Sequence, residues 1–122
     1  MALNAHDIVV LLDEEKTSIN TLYTLFGNSF IGFEGFGSNA LAKGKEAFDN
    51  SRRLILKTLC PLLKQPHVLA LLQSRHTGDT VSLVGLLANA LNALGPEVNW
   101  TLAAVLALRL GLPQLCAGQE SD

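Results

Sequence analysis

Residues 79–96 read DTVSLVGLLANALNALGP, and the spacing of their leucines decides the fold class. Leu83, Leu87, Leu91 and Leu94 recur at intervals of three and four, so that on a helix they form a single apolar stripe. Ser82, Asn89 and Asn92 give the same helix a polar side. Asp79 or Thr80 is the expected N-cap, and Gly95-Pro96 is a strong stop, because glycine frees the backbone and proline cannot continue the ladder. An amphipathic helix of this kind needs other helices to cover its leucines.

Moving towards the N-terminus, His76-Thr77-Gly78 breaks the pattern, and before it Pro66 opens a short helix carrying Val68, Leu69, Leu71 and Leu72. A long helix precedes that one. Ser38 is its expected cap, and Leu41, Phe48, Ile55 and Leu62 repeat every seven residues until Pro61 ends or kinks it near Cys60. Gly44, Ser51 and Thr58 stand between those apolar positions, small enough to let a second helix approach closely. Earlier still, Ile19, Leu22, Tyr23, Phe26 and Phe30 share one helical face behind Thr17 or Ser18 as cap. Asn4 caps a first short helix with Asp7 in its first turn and Ile8, Val9 and Leu12 as its apolar residues.

Towards the C-terminus, Pro96 or Glu97 begins a last helix. There Val98, Leu102, Val105, Leu106, Leu108 and Leu110 leave almost no polar face, which places the helix at the centre of the fold or in an interface. Its continuation through Leu112 and Leu115 has the length of a membrane span, but Arg109 and the Gly111-Leu112-Pro113 break favour a buried helix. The sequence thus predicts an all-α protein, a compact bundle of five or six helices with short connections. A single domain covers residues 1–117, and residues 118–122 form a polar tail.

Charge is scarce and unevenly placed. Charged residues make up 16% of the 122 residues, against about 25% in an ordinary soluble domain, while 48% are hydrophobic and mean hydropathy is +0.30. Such a composition calls for cover by a partner, a second copy or a lipid surface. Residues 1–42 carry Lys16 against Asp7, Asp13, Glu14, Glu15 and Glu34. Residues 43–64 reverse the sign, with Lys43, Lys45, Arg52, Arg53, Lys57 and Lys64 facing only Glu46 and Asp49. The basic stretch suits an acidic protein surface better than nucleic acid, since no aromatic residues are interleaved as stacking platforms and the net charge is −2.

Four of the five phenylalanines, Phe26, Phe30, Phe33 and Phe36, fall within eleven residues among Gly27, Gly32, Gly35 and Gly37. This segment has three readings: rings that plug the end of the bundle, an anchor for another subunit, or a segment that enters a membrane interface. The expected interface residues are therefore Phe30, Phe33 and Phe36 from this segment and Arg52, Arg53 and Lys57 from the basic helix.

For catalysis, His6, His67 and His76 are scattered, and Cys60 would need a histidine partner and an oxyanion site that no spacing supplies. No zinc spacing, phosphate loop or paired-carboxylate motif is present, and neither enzymatic activity nor a cofactor is expected. Cys60 and Cys116 are too few for a disulfide framework, and with no signal-peptide pattern at the N-terminus they point to a reducing, cytoplasmic setting. The functional expectation is a non-catalytic interaction or self-assembly domain of adaptor or scaffold type, with a protein partner or homo-oligomer. The alternative is a membrane-active protein that inserts the Phe/Gly segment or the C-terminal apolar helix.

Overall fold

A computed structural model of the chain describes residues 4–28, 37–95 and 98–120. Among them are seven α-helices and no strand: α1 Ala5–Leu12, α2 Ile19–Asn28, α3 Gly37–Leu59, α4 Pro66–Gln73, α5 Thr77–Leu91, α6 Trp100–Arg109 and α7 Leu112–Glu120. Two short 3-10 segments, Cys60–Lys64 and Asn92–Leu94, extend α3 and α5. The all-α class is as expected, and the helix count is one above the expected maximum of six.

The extra helix comes from the apolar C-terminal run, which the sequence presents as one continuous span. It breaks at Gly111, whose φ of +93° lies in a region that side chains with a Cβ rarely adopt. α6 and α7 meet there at 83°. α7 then runs as far as Glu120, through the first residues assigned to the polar tail. No single helix among the described residues is long and apolar enough to cross a membrane.

α6 is the axis of the core. Leu102, Ala103, Ala104, Val105, Leu106 and Ala107 are each exposed by at most 1%, so every side of this helix is covered by neighbours. α5 lies along it and contributes Leu83, Val84, Leu87 and Leu91, while α2 crosses it with Leu22 and Phe26. The fourth leucine of the α5 stripe, Leu94, sits past the end of the helix and is exposed.

Local signals explain most of the boundaries. The Asn4 side chain accepts the Asp7 backbone N–H at 2.8 Å, and the Asp7 carboxylate accepts the Asn4 N–H at 3.3 Å, a capping box that starts α1. Ile8 and Leu11 then seat α1 on α5 and α6. Of the two expected caps for α2, Ser18 performs the role by accepting from the Thr21 N–H at 3.1 Å. Thr17 is buried instead, and its hydroxyl donates to the Val10 carbonyl at the end of α1. Pro66 opens α4, and Pro61 follows directly on the end of α3.

Three starts differ from expectation. α3 begins at Gly37, so Ser38, the expected cap, lies inside the helix. α5 begins at Thr77, because a glycine in the first turn costs a helix little, and Asp79 inside that turn accepts the Ser74 hydroxyl at 2.7 Å. α6 begins at Trp100, and the indole N–H donates to the Gly95 carbonyl across the connection.

α2 and α3 make the tightest crossing in the fold. A Cβ placed on Gly44 would overlap the Tyr23 carbonyl, and one placed on Gly27 would overlap the Ala40 carbonyl, so the two backbones touch with no side chain between them. Gly44 thus performs the close approach that its place in the heptad stripe predicts. Beside the glycines, Phe48 takes an edge-on ring from Tyr23 and another from Phe26, each with centroids 6.1 Å apart.

The two cysteines, read in the sequence as too few for a disulfide framework, form a disulfide, Cys60–Cys116, with their Cα atoms 5.5 Å apart. They lie 56 positions apart in sequence, and only the turn at Gly111 brings α7 back against the end of α3. Arg109, read in the sequence as an interruption of an apolar span, donates from Nη1 to the Leu11 carbonyl at 2.8 Å and so ties α6 to the end of α1.

Candidate functional site

With 3.6 residues per turn, each step along a helix rotates the side chain by about 100°. Arg53 and Lys57, four apart, therefore share the solvent face of α3, and Leu54 flanks them. Leu54 is 55% exposed, the most exposed of the large apolar side chains among the described residues, while its neighbours Ile55 and Leu56 are buried. The surface is an apolar knob beside two cations one turn apart.

Arg52 belongs to a different side. It lies one step round the helix towards α2, close enough to the Tyr23 phenol to act on it electrostatically. Burial pushes the Tyr23 hydroxyl above its ordinary pKa of 10.0, the Asp49 carboxylate pushes in the same direction, and Arg52 opposes both. Lys45 stands over the same ring, its Nζ 5.9 Å from the centroid. The expected trio of Arg52, Arg53 and Lys57 is thus divided: two residues form an outward surface, and the third works along the α2–α3 seam. Phe30, Phe33 and Phe36 lie outside the described residues.

All six cations of residues 43–64 are exposed, as are Glu14 and Glu15 of the acidic run. α1, which leads into the acidic run, packs on α5 and α6, whereas α3, which carries most of the cations, is seated chiefly on α2. The two-signed division seen along the sequence therefore persists as exposed charge of opposite sign on different parts of the fold.

The groups considered for catalysis do not converge. His6, His67 and His76 are all exposed, on α1, on α4 and at the start of α5. Cys60 is bonded to Cys116 and offers no thiolate. Among the described residues, no three His, Cys, Asp or Glu side chains come together in a group that could hold a metal ion.

The exposed leucine is the feature that sequence reasoning missed. The heptad stripe assigns Ile55 to the buried face but says nothing of Leu54 and Leu56, and only the seating of α3 on α2 decides which of them faces outward. Comparison with family models, with curated proteins and with solved structures finds no match to this chain.

Proposed function

We propose that this chain is a non-catalytic interaction domain that docks onto an acidic protein surface through the outer face of α3. The observation that carries the reading is Leu54, held 55% exposed beside Arg53 and Lys57 on a rigid helix whose other side is locked into α2. Apolar anchors flanked by charge are the usual composition of a protein interface, in which the anchor supplies affinity and the charges supply orientation and rate. An acidic surface of the required kind exists on the chain itself, around Asp13, Glu14 and Glu15. Head-to-tail self-association is accordingly the first form to test.

The alternative of membrane insertion loses one of its two supports. α6 is the buried axis of the core, and moving it into lipid would dismantle the packing around it. What remains of that alternative rests on Phe30, Phe33 and Phe36.

The cysteines also alter the choice of compartment. Cytoplasmic placement rested on too few cysteines for a disulfide framework and on the lack of a signal-peptide pattern, whereas a buried disulfide favours an oxidising setting. We infer that the chain works where such a bond persists.

Light scattering across a concentration series at low and high salt tests the association. The expected result is an average mass that rises with concentration at low salt, falls back at high salt, and stays monomeric in Leu54→Asp. A wild-type chain that remains monomeric at every concentration would remove self-association. If Leu54→Asp associated as well as wild type, the face assigned here would be wrong.

A further inference from the structure

On another side of the molecule lies a cleft of about 260 Å³, formed where α1, α4, α5 and α6 meet. Leu12, Leu71, Leu72, Leu83 and Leu108 supply its apolar wall, Thr80 adds one hydroxyl-bearing side chain, and Glu14 and Arg109 are its two charged residues. The Arg109 guanidinium uses Nη1 on the Leu11 carbonyl, and its Nε–H is buried without an acceptor among the described residues.

We propose that this cleft binds a free apolar amino acid, of the size of leucine or phenylalanine. Three requirements lead to that class. Arg109 lines the cleft with a planar guanidinium, a cation whose fork geometry suits a carboxylate. Glu14, exposed at the same cleft, offers an acceptor for an ammonium group. The leucine wall excludes a polar side chain and accepts a branched or aromatic one. One fixed cation and one anion leave the site without net charge, which matches a zwitterion better than a simple fatty acid, whose carboxylate would meet Glu14 with nothing to offset it. The volume, equal to roughly eight or nine water molecules' share of the liquid, suits a molecule of this size and is too small for a folded peptide. The proposal does not rest on the association through α3, and the two share one residue, Glu14.

The test is a titration of the full-length wild-type chain, followed by amide chemical shifts, with L-leucine, 4-methylpentanoate and isoamylamine. The three probes share one alkyl end and differ in their charged groups. Expected are saturable shifts at residues of α1, α4 and α6 lining the cleft, with each analogue that lacks one charged group binding at least about tenfold more weakly than leucine. Glu14→Gln should weaken leucine while strengthening 4-methylpentanoate, whose carboxylate no longer meets that of Glu14, a selectivity that altered association would not produce. Leu72→Trp, which fills the cleft, should abolish the shifts. No saturable shift at the cleft with leucine or phenylalanine would overturn the proposal. Equal binding of all three probes would equally overturn it, since Arg109 and Glu14 would then contribute nothing.

Discussion

Replacing Gly44 with alanine is expected to destabilise the fold by about 1–3 kcal/mol or more, because the new methyl meets the Tyr23 carbonyl, a backbone atom that can move only if the whole of α2 moves. Gly85→Ala is the matching control. It lies on an exposed position of α5 with open space around it, and should stabilise by roughly 0.5–1 kcal/mol through helix propensity alone. Urea midpoints of the two variants should therefore move in opposite directions. Tyr23, the single tyrosine, gives a second readout at this scale. Its pKa is raised above 10.0 in the folded state, first by burial and then by Asp49, so the folded chain holds that proton more tightly than the unfolded one. Stability is then unaffected below about pH 10 and falls as pH rises through the folded pKa, and Tyr23→Phe should flatten that part of the profile. Phenolate absorbance reports the same residue directly. A midpoint that fell equally with pH in Tyr23→Phe would contradict this assignment.

At the scale of elements, Leu106→Ala in the middle of α6 should cost about 2–5 kcal/mol, since the side chain is fully enclosed and the helices around it cannot all close on the cavity. Reduction of Cys60–Cys116, or its replacement by a pair of alanines, should lower stability by up to about 4 kcal/mol on the chain-entropy account for a separation of 56 residues. Hydrogen exchange should show the loss concentrated in α7, with the α5–α6 centre still protected. Much of this architecture was legible. Asn4, Ser18 and Pro66 announced their helix starts, and the α5 leucine stripe announced a buried face, because caps and periodicity are local. The Gly111 break was legible only as a composition, since the same residues fit a kinked span as well as a sharp turn. The disulfide carried no local signal, because its partners meet only after α7 has folded back. The start of α5 at Thr77 was misplaced for a simpler reason: Gly78 looks like a breaker, but its cost in a helix is backbone entropy of about 1 kcal/mol relative to alanine, too little to stop a helix that packing holds.

For the whole molecule, the charged surfaces make a prediction that separates the two arginines at adjacent positions. Arg53→Glu with Lys57→Glu should abolish salt-sensitive association in light scattering. Arg52→Glu should leave association largely intact and instead shift the titration of Tyr23 upward, since it removes the cation that opposes the Asp49 effect. Of the candidate surface, the basic residues were readable from spacing, whereas the exposure of Leu54 depended on how α3 settles against α2. The contact between Arg109 and Leu11 joins residues 98 positions apart, and α1 finds its packing partners in α5 and α6. At about 5–20 residues per second, roughly 5–20 s of translation separate the emergence of those two ends from the ribosome. An eight-residue helix is too short to persist alone in water, so Ile8 and Leu11 wait through that interval without a surface to cover them. α1 is made before both of its packing partners and is among the last of the described helices to be held in place, so its apolar face stays uncovered until α6 is complete.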